Sequence, residues 1–67
     1  MSPQRIGRML RAMRVEKGYS QVDLARRAKV TNVYLSQLEN GRKKNPSLAV
    51  LRRLAKALGV PVTELLG

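Results

Sequence analysis

An all-α fold of five short helices is what this sequence of 67 residues predicts. Three observations predict it. Apolar residues recur at three- and four-residue spacing in successive short segments, the signature of amphipathic helices. Ser2, Ser20, Thr31 and Ser47 each stand just before such a segment, and Gly18, Gly41 and Gly59 stand just after one, as helix starts and stops require. No segment shows the period-two alternation of a half-buried strand.

Ser2 and Pro3 open the first helix, with serine as cap and proline in the first turn. Ile6, Met9, Leu10 and Met13 recur at helical spacing, and the helix should run to about Lys17 and stop at Gly18. Ser20 opens the second helix, with Asp23 three residues on as a variant capping box. Its inward stripe is Leu24, Ala25 and Ala28. Lys29 and Val30 form a turn, with Val30 as a buried plug. Thr31 caps a third helix from Asn32 to about Asn40, ended by Gly41. A basic loop follows, Arg42-Lys43-Lys44-Asn45-Pro46. Ser47 caps a fourth helix with Leu48, Leu51, Leu54, Ala55 and Leu58 inward, closed by Gly59. After a turn at Val60-Pro61, a last short helix covers Val62 to Leu66.

Size and charge bound the function. A chain this short makes one domain, 1–67, and buries only about 60% of the surface its unfolded form exposes. There is no Cys and no His, which removes disulfides, thiolate nucleophiles and the usual zinc sites. Neither metal nor cofactor is expected. The carboxylates are only Glu16, Asp23, Glu39 and Glu64, too scattered to assemble acid–base chemistry, so an enzyme is not expected. Fourteen Lys and Arg against four Asp and Glu, a net charge of +10, attract polyanions. Nucleic acid is the first candidate partner and an anionic membrane surface the second. Five capped short helices argue against a membrane-surface peptide, which is one long amphipathic helix. No apolar run approaches the ~20 residues that span a bilayer. Charges recurring from Arg5 leave no signal-peptide core, so a cytoplasmic, nucleoid-associated protein is expected.

The stretch Ser20 to Gly41, SQVDLARRAKVTNVYLSQLENG, carries the functional reading. At about 100° per residue, Asn32, Val33, Ser36, Gln37 and Asn40 fall in one arc of about 140° on the third helix. Leu35 and Leu38 lie opposite, with Tyr34 at the border. One face can bury while the other presents amide, hydroxyl and methyl groups. Asn and Gln can pair bidentately with adenine, Val can pack on a thymine methyl, and Ser allows close approach.

Residues Ile6 to Leu66 resemble the Cro/repressor-type helix-turn-helix family of phage and bacterial regulators, the lambda-repressor-like domains. The matching strings are SQVDLARRA, VTNVYLSQLENG and NPSLAVLRRLAKALGVPVTELL. The resemblance implies a compact five-helix domain, its helix-turn-helix unit at about 20–41, that places the third helix in the major groove. It implies a homodimer on a palindromic operator in double-stranded DNA, and regulation of transcription, with repression the expected sense. Thr31, Asn32, Val33 and Gln37 match base-reading positions, and Ser36 joins them from its place on the same helical face. Gln21 matches a glutamine that holds a phosphate and braces the reading helix. Asn40 and the loop residues Arg42, Lys43 and Lys44 match a second phosphate-gripping region. Arg14 and Glu39 match an internal ion pair between the first and third helices. Glu39 is the only acid in its helix, and its charge needs a partner once it is half-buried.

The chain also departs from the family pattern. Lys29 stands where a turn glycine is common. Val33 replaces a polar reader, which shifts the expected contact towards a thymine methyl. Ser47 stands where some phage repressors carry a minor-groove arginine, so no insertion is expected there. Met9 and Met13 are expected to be core filler. Leu58, Val60, Val62, Leu65 and Leu66 close the core, or form part of a dimer interface. An alternative function with the same fold is the antitoxin of a toxin–antitoxin pair.

Overall fold

The computed structural model describes residues 3–43 and 45–66, with the side chains of residues 3 and 4 outside that description. Five helices follow one another: α1 Pro3–Glu16, α2 Gln21–Ala28, α3 Asn32–Glu39, α4 Leu48–Leu58 and α5 Thr63–Leu66. The cap expected at Ser2 lies outside the described residues.

The chain breaks where side chains can satisfy helix ends. Ser20 Oγ accepts from the Asp23 amide, and the Asp23 carboxylate accepts from the Ser20 amide, a complete capping box. Thr31 Oγ1 accepts from the Tyr34 amide and Ser47 Oγ from the Val50 amide. Lys29 ends α2 in the left-handed region at φ 59°. That conformation costs a non-glycine residue on the order of 1 kcal/mol, offset in part by a cation at a helix C-terminus. Its reward is a tight turn: the Lys29 amide reaches the Arg26 carbonyl and the Val30 amide that of Ala25.

Leu10, Leu24, Leu35, Leu38, Leu54, Leu58 and Leu65 are fully buried, joined by Ile6, Ala25, Ala28, Leu51 and Ala55. The core is aliphatic and draws on all five helices. α1 packs on α3 and α5, while α2 packs on both α3 and α4. This pins α3 from two sides and leaves its remaining face outward.

Several expectations shift. Leu48 is 46% exposed instead of inward. It is the first residue of α4, where the stripe's periodicity continues but the packed interior does not. Met9 and Met13 are both half-buried, and Met13 packs against the core. Val30 is a half-buried flank of the core and not a fully buried plug. In the C-terminal segment Leu58 and Leu65 are buried, and Val60, Val62 and Leu66 pack partly against them. Val62 belongs to the turn before α5, its carbonyl accepting from the Leu65 amide.

Gly7 is a second packing determinant, one that periodicity does not reveal. A Cβ built there would overlap the Leu38 carbonyl oxygen and lie 2.8 Å from that of Glu39. The absence of a side chain lets α1 cross the end of α3 at backbone contact.

Candidate nucleic-acid interface

The outward face of α3 is continuous. Asn32 and Val33 are exposed, Val33 at 62%, and Ser36 and Gln37 are half-buried one turn on. Leu35 and Leu38 occupy the opposite side in the core, and Tyr34 is half-buried at the border. Thr31 is exposed just before the helix, its hydroxyl oxygen committed to the Tyr34 amide and its hydroxyl proton left to donate. Glu39, the one acid of α3, is turned inward. The exposed face therefore carries no negative charge.

What holds α3 in place is a polar clamp at its far end. Arg14 Nε donates to Glu39 Oε2 at 2.7 Å and Nη2 donates to Oε1 at 3.0 Å. A third donor, Nη1, reaches the Tyr19 carbonyl at 2.9 Å. Gln21 Nε2 adds a donor to Glu39 Oε1 at 3.1 Å. The side chains of Arg14 and Glu39 are only 12% and 4% exposed. The hydrogen bonds to Glu39 raise the guanidinium pKa above its ordinary value, more than burial lowers it. Two parallel N–H donors make the pair geometrically specific, and they tie α1, the start of α2 and the end of α3 together.

Above this clamp lies a groove of about 230 Å³ lined by Arg11, Arg14, Gln21, Ser36, Glu39 and Asn40. It brings Gln21 and Asn40 to one place. It also brings in Arg11, an exposed cation not among the residues the sequence predicts for the site. The signal was available, since Arg11 lies three residues before Arg14 and so on the same side of α1.

The loop after α3 is tied to that helix. The amides of Arg42 and Lys43 both donate to the Gln37 carbonyl, at 2.9 and 3.1 Å. Asn40 Oδ1 accepts from the Arg42 amide at 3.1 Å, which leaves the side-chain amide nitrogen of this exposed residue out of that bond. Gly41 takes φ 80° to allow the bend. Lys43 Nζ rests 5.8 Å from the centre of the Tyr34 ring, a cation–π distance. Two exposed cations, Arg42 and Lys43, thus flank the α3 face at a fixed register. Lys44 lies outside the described residues.

A short helix, a tight turn and a second helix with an acid-free outward face and cationic flanks define a helix-turn-helix protein. A helix-turn-helix family model matches residues 10–65, and the chain belongs to that family. It is similar to the HTH-type transcriptional regulator SinR of Bacillus subtilis, 41% identical over 61 residues, 91% of this chain and 55% of SinR. It is 39% identical over 62 residues to the immunity repressor protein of Bacillus phage phi105, covering 92% of this chain and 42% of the repressor. Among solved structures, SinR in complex with DNA superimposes with a TM-score of 0.89 at 40% identity, over 92% of this chain and 98% of that one. The restriction-modification controller protein C.AhdI of Aeromonas hydrophila superimposes with a TM-score of 0.90 at 35% identity, over 94% of each chain. The chain spans 40 to 55% of the length of the first curated regulators it matches. Among the described residues, no helix is long and apolar enough to cross a membrane.

Proposed function

We propose that this chain is a sequence-specific DNA-binding transcriptional regulator that reads the major groove with α3 and acts as a repressor. The observation that carries the reading is the acid-free outward face of α3, held rigidly by the Arg14–Glu39–Gln21 clamp and flanked by cations. The similarity to SinR, solved in complex with DNA, supports it. Thr31, Asn32, Val33, Ser36 and Gln37 meet base edges and methyls. Gln21, Asn40, Arg42, Lys43 and Lys44 meet phosphates, with Arg11 added to their number. Phosphate contacts position the domain and base contacts specify the site.

The molecule works as a homodimer on a palindromic operator, and the half-buried Val60, Val62 and Leu66 are the surface on which we place that dimer. Its action is binding in the cytoplasm on nucleoid DNA, with no catalytic step.

The test is a salt titration of affinity for duplex DNA. Neutralising about 4–6 phosphates per subunit makes log K fall with log salt at a slope of about −4 to −5 per subunit. A flat response overturns the reading.

A further inference from the structure

A second cationic groove lies where the end of α2 meets the second half of α4. It has a volume of about 420 Å³ and is lined by Arg27, Ala28, Lys29, Arg53, Lys56 and Ala57. That size is within the ~300–1,000 Å³ typical of small-ligand sites. It shares no residue with the groove at Gln21 and Asn40 or with the outward face of α3. Gln21 and Ala28 stand at opposite ends of α2, roughly 10 Å apart along its axis.

We propose that this groove is an anion site for a phosphate-bearing group, distinct from the α3 face. Four cationic residues line it and no carboxylate does. Ala28 and Ala57 are the small residues of its lining. Two of the cations are held in place. Arg53 Nε donates to the Ala28 carbonyl at 3.1 Å, which ties the guanidinium to the end of α2 and leaves its two terminal nitrogens out of that bond. The Arg27 guanidinium lies 4.5 Å from the centre of the Tyr19 ring. Planar, pre-positioned guanidinium groups suit phosphate oxygens, and the two lysines add point charge. Lys29, a third cation of the lining, occupies a left-handed conformation that glycine would take without strain.

The phosphate has two sources, a free phosphorylated ligand or the backbone of a bound duplex. The inference stands independently of the DNA-reading proposal. The test is an amide-resolved NMR titration of the intact chain with inorganic pyrophosphate at constant ionic strength, using wild type, Lys56→Gln and Lys29→Gly. Lys29→Gly relieves a strained backbone, so its fold is retained. Saturable shifts at Ala28, Lys29 and Ala57, weakened several-fold in both variants, are expected. Non-saturating shifts spread over every basic face, or binding unchanged by Lys56→Gln, overturn the site. Repeating the titration on DNA-saturated protein identifies the source. Loss of the pyrophosphate shifts, with a salt slope lowered by about 1 in Lys56→Gln, means duplex phosphate fills the groove. Persisting shifts mean a free ligand does. If no duplex binds, the α3 reading fails and the pyrophosphate result still decides this site.

Discussion

Arg14 holds both carboxylate oxygens of Glu39 although 25 residues separate them in the chain. The pair is the cross-brace between α1 and α3, and Gln21 extends it to α2. Its energetic weight lies in what breaking it leaves behind. A carboxylate whose side chain is 4% exposed cannot recover its hydration without opening the fold.

Arg14→Ala is therefore expected to destabilise the protein by up to about 3–5 kcal/mol, whereas Arg11→Ala, on the same helix but exposed, stays within about 0.5 kcal/mol. Denaturant melts of the two variants make the comparison. Equal midpoints would mean the clamp carries no net stability. The double change Arg14→Met with Glu39→Leu should recover part of the loss, because it removes both charges and leaves only the Gln21 amide and the Tyr19 carbonyl to find new partners.

Gly7→Ala should destabilise despite replacing glycine inside a helix. The propensity gain is roughly 1 kcal/mol. Against it stands a methyl group placed onto the Leu38 and Glu39 carbonyls, backbone atoms that cannot swing aside, and overpacking costs about 1–3 kcal/mol or more. The overlap wins, and the melting temperature should fall. A rise would show that α1 can slide off α3 without penalty, and the account of this crossing would be wrong.

Local chemistry explains what could be read in the sequence. The caps at Ser20, Thr31 and Ser47 are agreements between a side chain and nearby backbone, and the stops at Gly18 and Gly59 are left-handed backbone turns, each settled within a few residues. The buried stripes of α2, α3 and α4 follow from helical periodicity alone, and that same rule misplaced Leu48, because periodicity carries no information about where a neighbouring element ends. Gly7 meets carbonyls 31 and 32 positions away, and Arg11 lines a groove shared with Gln21, Ser36, Glu39 and Asn40, so their roles are visible only with α1, α2 and α3 set side by side. The Arg14–Glu39 partnership was anticipated through a family resemblance, since neither residue's spacing announces the other.

The capping box predicts a pH signature. Hydrogen bonds from Ser20 hold the Asp23 carboxyl below its ordinary pKa, helped by the charges of Arg26 and Arg27. A depressed folded-state pKa means the stabilisation is present above the unfolded value, about 3.9, and is lost as pH falls through that value and the lower folded one. Asp23→Asn keeps an acceptor for the Ser20 amide but no charge. Its melting temperature should lie below wild type at pH 7, with the gap closing towards pH 3. A gap independent of pH would assign the effect to geometry and not to charge.

Gln37→Ala and Lys43→Ala should fail in different ways. Gln37 faces outward from α3 one turn after Val33, so under the proposed reading its loss relaxes preference at one or two operator positions. Each such contact is worth about 1–3 kcal/mol of discrimination. Lys43 sits beyond the helix end, over Tyr34, and under the proposed reading it meets phosphate and not a base. Its loss should weaken operator and unrelated duplex alike and lower the salt slope by about 1. The backbone is not the cause of either effect, because the loop is held by the Gln37 carbonyl, which both substitutions retain. The measurement is affinity for a selected operator, for its single-base variants and for unrelated duplex, each at two salt concentrations. If Gln37→Ala weakens every sequence equally, α3 is not reading bases through that residue. The domain would then sit on DNA in an orientation other than the one its exposed face suggests.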